Sequence, residues 1–231
     1  MFTENICIHQ SWDEFLQDRE YLRRAEKDLI NNCPPYFTPP AALALRFLSL
    51  DLSSVKIIII GQDPYPQPNI ATGRAFEALV NSWREPIPQT SLRNILRALY
   101  AAYNGQPQNF SFIREEIIQG RFNILPPCEL FENWEKQGVL LLNTTFTCEI
   151  GRPGSHIALW REFSEKLMRY ISKTDAIWFL WGNHAKKYAP YAKTSYICGH
   201  PMTAGGRNPN DFFDSKCFHD TKEIVNWLGR L

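Results

Sequence analysis

Four apolar segments of this sequence end in, or just before, a polar side chain that can take part in chemistry. These side chains are Asp63, Asn143, Asn183 and His200. A carboxylate can orient water or stabilise a cation, an imidazole can stabilise a developing anion, and an amide offers a donor beside an acceptor. Alone, each residue is also typical of an ordinary turn. Their shared placement, with Phe76 as an apolar wall, predicts one polar pocket.

The segments that precede these side chains have the pattern of buried β-strands. Residues 55–60 form a nearly uninterrupted β-branched run, which is typical of a strand buried on both faces of a parallel sheet. Further strands are predicted at residues 139–143, 176–181 and 195–198. The carboxyl ends of parallel strands meet at one edge, where open α/β folds bind ligands.

Segments with helical character alternate with these strands. Helices are predicted at residues 11 to about 30 (with Ser11 as the N-cap), 41–50, 92–103, 110–118, 156–171, briefly from 184, and 220–228. This alternation predicts an α/β fold, with a central four-stranded, twisted parallel sheet and helices on both faces. No repeat or linker interrupts the chain, so residues 1–231 are predicted to form a single domain.

The composition excludes several classes of protein. A hydrophobic fraction of 44% is typical of a globular rather than a disordered chain. The formal net charge of +1 means that nucleic-acid binding would need a local basic face. The six cysteines contain no CxxC pair, so neither a zinc site nor an iron–sulfur cluster is expected.

The sequence also carries expectations about location. The first residues lack the basic start and apolar core of a signal peptide, and no apolar run is long enough to span a bilayer. We therefore expect a cytoplasmic protein with reduced thiols, no membrane association and a monomeric state.

Ordered motifs from residue 55 to the C-terminus resemble those of the family 1 uracil-DNA glycosylases. Residues 61–65 (GQDPY), with Gly73 and Phe76 downstream, are similar to the water-activating loop of that family. Residues 138–144 (GVLLLNT) resemble the segment that supplies the uracil-reading Asn. Residues 181–187 resemble the family's Gly-Ser phosphate loop.

The resemblance implies that uracil is bound by Gln62, Tyr65, Phe76 and Asn143. Uracil presents an N–H donor and a carbonyl acceptor that an Asn amide can complement together, whereas cytosine presents the opposite pattern. Tyr65, between two prolines, is suited to exclude the methyl group of thymine. Phe76 could stack on the extracted base.

The resemblance further implies a catalytic Asp63 and a catalytic, neutral His200. Cleavage of an N-glycosidic bond leaves positive charge on the sugar and negative charge on the base. Asp63 would stabilise the cation and orient the attacking water. His200 and the backbone N–H of Gln62 would stabilise the uracil anion. No metal or cofactor is expected to be required.

Contacts to DNA are implied at three loops. The residues concerned are Pro88, Thr90, Ser91, Gly182, Asn183, Pro201, Met202, Thr203, Ala204 and Arg207. Ala204 stands where the family has an apolar Leu wedge, and Met202 replaces a phosphate-gripping Ser. Ala204 is too small to fill a gap in the base stack, so we expect a weaker wedge, unless Met202 or Arg207 supplies one from a new position.

The leading hypothesis is therefore a DNA repair hydrolase that flips uracil out of single- or double-stranded DNA and leaves an abasic site, as in base excision repair. One alternative is a DNA-binding accessory protein without turnover. Another is a glycosylase for 5-modified uracils, which Arg74, in place of a typically apolar neighbour of Phe76, leaves open. Proteinaceous glycosylase inhibitors that mimic DNA are further expected partners.

Overall fold

A sheet of four short parallel strands forms the centre of the molecule, in a computed structural model that describes residues 2–4, 6–32, 36–205 and 210–229. The strands in this part of the chain are β1 (Phe37–Thr38), β2 (Ile57–Gly61), β3 (Val139–Asn143), β4 (Cys148–Glu149), β5 (Ile177–Trp181) and β6 (Thr194–Cys198). The central sheet has the order β3-β2-β5-β6. The predicted parallel sheet is confirmed.

The register of this sheet brings the carboxyl ends of its strands together. Gly61 of β2 pairs with Asn143 of β3, and Trp181 of β5 pairs with Cys198 of β6. Each pair contains the last residue of both strands. The loops that follow therefore leave the sheet from one edge, as the strand pattern predicted.

Helices cover both faces of the sheet. The α-helices are α1 (Asp13–Leu16), α2 (Glu20–Asn32), α3 (Ala41–Ala44), α4 (Thr90–Asn104), α5 (Phe110–Ile118), α6 (Pro127–Lys136), α7 (Ile157–Ile171), α8 (Gly182–Lys186) and α9 (Cys217–Asp220). Short 3-10 helices span Gln10–Trp12, Arg46–Ser49, Leu52–Ser54, Ala189–Tyr191, Pro201–Thr203 and Phe212–Asp214. Within the described ranges, no helix has the length and apolar character needed to cross a membrane.

Alternate residues of β2 explain the uninterrupted apolar run. Ile57 and Ile59 pack into a core with residues of α4 and α6. Ile58 and Ile60 pack into the opposite core with residues of α2 and α7. Because successive side chains of a strand point to opposite faces, both sets must be apolar. All four are fully buried.

The predicted first helix, residues 11 to about 30, is interrupted. A 3-10 turn and α1 occupy residues 10–16, and α2 begins at Glu20. Ser11 is not the N-cap, because its hydroxyl oxygen accepts a hydrogen bond from the Leu52 N–H at 2.9 Å. The two residues of this contact are 41 positions apart in the sequence, so the local pattern of apolar residues could not predict it.

Two features near the C-terminus also differ from the sequence prediction. The predicted helix at 220–228 is wrong, since α9 ends at Asp220 and turns follow. Val225 and Trp227, two residues apart, are both buried, and the Trp227 carbonyl accepts a hydrogen bond from the Trp134 indole at 3.0 Å. Helix α6, which carries Trp134, was missed, although Pro127 and Glu129 in its first turn are typical of a helix start.

Candidate active site

A cavity of about 500 Å³ opens at the carboxyl edge of the sheet. Ten of the residues predicted from sequence line it: Gln62, Asp63, Tyr65, Phe76, Pro88, Thr90, Ser91, Asn143, His200 and Met202. They come from the loops after β2 and β6, from the last residue of β3 and from the start of α4. Residues up to 140 positions apart in the sequence thus share one pocket. Asn183, which was predicted to join them, lines a second cavity instead.

Asp63 presents a carboxylate oxygen without a partner. Its Oδ1 is buried and accepts no hydrogen bond from any of the described residues. Burial raises the pKa of Asp63, and donors at Gln62, Gly154 and Thr145 oppose that rise. The loop that carries Asp63 is held by the segment after β3, because the Thr145 N–H donates to the Gln62 carbonyl at 2.9 Å. A fixed, partly desolvated carboxylate is suited to hold water or face a cation.

Asn143 is buried at the end of β3 with its amide free. No side-chain hydrogen bond joins this amide to the described part of the protein. It lies directly over Gly61, where a Cβ atom would collide with Asn143 Oδ1. Gly61 therefore leaves room for the amide, whose donor and acceptor remain available to a ligand.

His200 is held in one tautomer by its own loop. The Met202 N–H donates to His200 Nδ1 at 3.1 Å, so the proton of the neutral ring resides on Nε2. Burial lowers the pKa of His200, which favours this neutral form. Gly182 permits the close approach of the ring, because a Cβ there would lie 2.7 Å from the Cβ of His200. The resulting group is a neutral N–H donor.

Phe76 and Tyr65 form the apolar wall of the cavity. The Phe76 ring lies 5.7 Å from the His200 ring and 5.1 Å from Trp181, between centroids. The Tyr65 hydroxyl donates to the Phe76 carbonyl at 3.4 Å. Burial raises the pKa of Tyr65, so the phenol stays protonated. The two rings are thus joined through one backbone carbonyl.

The loop after β6 is anchored at its start and beyond its middle. The Asn94 amide of α4 donates to the Pro201 carbonyl at 2.6 Å, and the Asp211 carboxylate accepts from the Gly205 N–H at 3.1 Å. Met202 is 62% exposed and lines the cavity. Ala204 instead packs against the core. Between Met202 and Ala204, the side chain that protrudes is therefore Met202.

A second cavity of about 400 Å³ adjoins the first through His200. Gly182, Asn183 and Thr203, all predicted to contact DNA, line it together with Lys186. Pro201 is buried and lines neither cavity. Arg207, also predicted, lies outside the described residues.

Sequence reasoning missed a contact behind the catalytic loop. His184 Nε2 lies 2.7 Å from the hydroxyl of Thr144, and that hydroxyl lies 3.4 Å from the Gln62 carbonyl. Burial, with Lys187 and His200 nearby, lowers the pKa of His184 to about 4. The local sequence gives one signal for this contact, which is that His184 directly follows Gly182-Asn183 at the end of β5. In the described ranges, no cluster of His, Cys, Asp or Glu could hold a metal ion.

The sequence and the fold are similar to those of known proteins. The chain is 34% identical to the uracil-DNA glycosylase of Campylobacter jejuni (strain 81-176) over 241 residues, covering 99% of this chain and 94% of that protein. The UNG crystal structure from Nitratifractor salsuginis is similar at 25% identity and a TM-score of 0.71, covering 96% of this chain and 92% of that one.

Mimivirus UNG Y322L, solved in complex with UGI, shares the fold at 22% identity and a TM-score of 0.69, covering 93% of this chain and 83% of that one. Residues 49–221 match the family model described as the uracil DNA glycosylase superfamily. That range includes the whole cavity and every strand of the parallel sheet. The chain therefore belongs to the uracil DNA glycosylase superfamily.

Proposed function

We propose that this chain removes uracil from DNA by hydrolysing the N-glycosidic bond, with Asp63, Asn143 and His200 in the central roles. One observation carries the proposal: a carboxylate with one partner-free oxygen, a free amide and a neutral imidazole face one cavity beside two aromatic rings. Family membership makes this a uracil-DNA glycosylase in base excision repair.

Base recognition is assigned to Asn143. Its free amide can donate to the 4-carbonyl of uracil and accept from the ring N–H at the same time. Cytosine presents a donor and an acceptor in the reverse order, so a fixed amide rejects it. Gly61 supports this role, because it lets the amide lie against the end of β2.

Exclusion of thymine is assigned to Tyr65. Its ring lines the cavity and is tied to the Phe76 carbonyl. A ring held this way leaves no room for a methyl group at position 5 of the pyrimidine. Phe76 stacks on the extruded base, a contact worth about 1–3 kcal/mol in other base–aromatic pairs.

Catalysis is assigned to Asp63 on the sugar side and to His200 on the base side. As the bond breaks, Asp63 stabilises the developing sugar cation and orients the water whose oxygen joins the sugar carbon. The raised pKa of Asp63 suits its carboxylate to accept the proton that the water loses. The bonding electrons leave with uracil, whose 2-carbonyl oxygen is stabilised by His200 Nε2–H and by the Gln62 N–H.

Binding of the DNA backbone is assigned to the surfaces around the cavity. Thr90 and Ser91 begin α4, where unpaired N–H groups favour phosphate. Gly182, Asn183 and Thr203 line the second cavity beside Lys186. Contacts of this kind position DNA without reading its sequence. The target base must leave the stack to reach the pocket, and Met202 is an exposed apolar side chain at the rim.

Partners and location follow from the same assignment. Single- or double-stranded DNA that contains uracil is the substrate. The mimivirus relative was solved in complex with UGI, and we extend binding of a proteinaceous, DNA-mimicking inhibitor to this chain. We place the protein in the cytoplasm as a monomer, in keeping with free thiols at Cys7, Cys128, Cys148, Cys198 and Cys217.

The deciding experiment incubates the purified protein with a uracil-containing oligonucleotide and then cleaves abasic sites with alkali. We expect cleavage at the uracil, and none in a matched oligonucleotide with thymine there. An accessory protein would bind the same DNA without producing alkali-sensitive sites. The alternative of a glycosylase for 5-modified uracils is not favoured, because the matching family model and the curated relatives are uracil-DNA glycosylases.

A further inference from the structure

Phe76 occupies a backbone conformation that an aromatic residue rarely adopts. Its φ is +65°, in the left-handed region that disfavours side chains with a Cβ. The same residue supplies the stacking ring and the carbonyl that accepts from Tyr65. Strained conformations persist only where the surroundings impose them. The neighbours of Phe76 must therefore hold it in place.

Two charged residues close to Phe76 form a buried ion pair. Arg74 Nη1 lies 3.0 Å and 3.2 Å from the two carboxylate oxygens of Glu77. These side chains are only 7% and 2% exposed. One nitrogen of the guanidinium thus lies within hydrogen-bond distance of both oxygens of Glu77, and the hydrogen bonds are strengthened by charge. Positions 74 and 77 are tied to each other across Phe76.

Arg74 also ties this segment to the helical layer. Its Nη2 lies 2.5 Å from Oε2 of Glu135 in α6, the helix that packs on β3. Glu135 is 11% exposed. One guanidinium therefore bridges the loop that carries Phe76 and a rigid element of the core.

Further hydrogen bonds fix the rest of the segment. The Thr72 hydroxyl donates to Glu77, and Arg46 Nη1 donates to the Thr72 carbonyl at 3.1 Å. The Ala75 N–H donates to the Leu141 carbonyl of β3 at 3.2 Å. Because residues on both sides are held, the backbone of Phe76 has no room to relax toward an ordinary conformation.

We propose that Arg74 is a positioning residue for base recognition: by bridging Glu77 and Glu135, it holds Phe76 in the left-handed conformation that sets both the stacking ring and the Tyr65 wall. The role rests on the proposed function of the cavity and adds a specificity determinant to it. Loss of the bridge loosens the wall that excludes substituents at position 5 of the pyrimidine.

The test is Arg74→Met, which keeps an unbranched apolar stem and removes the guanidinium. We expect the single-turnover rate on a uracil oligonucleotide to fall by roughly 10- to 100-fold, because a small displacement of the groups that position a substrate lowers the rate by about this much. The ratio of the thymine rate to the uracil rate should rise at the same time. That ratio separates positioning from stability, because a smaller folded fraction lowers both rates equally. Arg74→Lys keeps the positive charge but not the planar guanidinium. Its uracil rate and its rate ratio should lie between those of wild type and Arg74→Met.

A second variant covers the case in which Arg74→Met does not fold. Removing Arg74 leaves two buried carboxylates unpaired, which is destabilising. The triple variant Arg74→Met, Glu77→Gln, Glu135→Gln removes those charges as well, and thermal unfolding reports whether it folds. The same shift in the ratio is expected.

Two matched controls complete the design. Arg121→Met removes an exposed guanidinium that pairs with Glu116, the closest atoms being 2.7 Å apart, and should leave both rates unchanged. Met168→Ala, buried in the opposite core, should lower stability and leave the ratio unchanged.

A raised ratio in folded Arg74 variants, with both controls unchanged, supports the proposal. An unchanged ratio overturns it, even where both rates fall together, because Arg74 would then act on stability alone. Failure of the wild-type protein to release uracil is a different result, which contradicts the proposed function itself.

Discussion

The amide of Asn143 lies over Gly61, at the paired ends of β3 and β2, where a Cβ atom on residue 61 would collide with Asn143 Oδ1. Residue 61 is thus as much a part of the recognition site as the amide. The absence of a side chain at one strand end permits the placement of a side chain at the next.

Gly61→Ala should displace this amide and lower kcat/KM on uracil DNA by roughly 100-fold. The added methyl group would also meet the Cβ of Ala75 at 3.0 Å. A double-mutant cycle with Asn143→Ala checks the cause. If Gly61→Ala acts through Asn143, the double variant should be no slower than Asn143→Ala alone. Full additivity would contradict that link.

Asp63→Asn should lower the cleavage rate by about 10²- to 10⁴-fold and leave DNA binding nearly intact. The amide cannot accept the proton that the attacking water loses, and it carries no charge to stabilise the sugar cation. Single-turnover rates on a uracil oligonucleotide and fluorescence anisotropy on the same DNA measure the two effects. A variant that keeps most of the wild-type rate would remove Asp63 from the mechanism.

Asn143→Asp and Tyr65→Ala should relax discrimination in different directions. A carboxyl group that takes up a proton can offer cytosine the donor it needs, so Asn143→Asp should weaken uracil excision and admit some cytosine. Tyr65→Ala should admit thymine by removing the wall against its methyl group. Both variants are assayed on oligonucleotides that differ only in the target base. Cytosine excision by Tyr65→Ala, without thymine excision, would show the two assignments to be wrong.

His184 should make the folded protein sensitive to acid. Its pKa is lowered to about 4, chiefly by burial, whereas the unfolded chain has a pKa near 6.5. Between these two pKa values the unfolded state binds more protons than the folded state. The contribution of His184 to the free energy of unfolding is therefore complete above pH ~6.5 and is lost as the pH falls toward 4.

Urea unfolding of wild type and His184→Gln at several pH values measures this effect. The other buried histidines titrate in both proteins, so the difference between the two reports on residue 184. His184→Gln should lose less stability between pH 7 and pH 4.5. Parallel losses would contradict the assignment.

Met202, rather than Ala204, should support base extrusion from duplex DNA. Met202 is exposed at the cavity rim, whereas Ala204 packs against the core. Met202→Ala should therefore lower the rate on a paired U·A by roughly tenfold, equivalent to about 1.4 kcal/mol, with little change on single strands. The comparison uses single-turnover rates on U·A, U·G and single-stranded substrates.

Ala204→Leu and Arg207→Ala test the other two possibilities. If the wedge is missing, wild type should prefer unpaired uracil strongly, and Ala204→Leu should raise the duplex rate. If Arg207 supplies the wedge, Arg207→Ala should lose activity on duplex DNA but not on single strands. Either result would contradict the role of Met202 if the duplex rate of Met202→Ala equals that of wild type.

The sequence by itself determined the sheet and the placement of its strand-end side chains. An apolar run such as residues 57–60 must be buried on both faces, and parallel strands bring their ends to one edge. Asp63, Asn143 and His200 could therefore be assigned to one pocket before any contact was known. Patterns of this kind depend on neighbouring residues, and neighbours are visible in a sequence.

Only the tertiary structure decided which distant groups meet. Arg74 reaches Glu135 in a helix that sequence reasoning missed, and the Asn94 amide fixes the loop that presents His200 and Met202. The backbone of Trp227 is held by the Trp134 indole in place of a helix. The partner of a buried charge, amide or carbonyl is chosen by the packing of whole layers, because unpaired polar groups are costly once water is excluded. That choice has no signature in local periodicity.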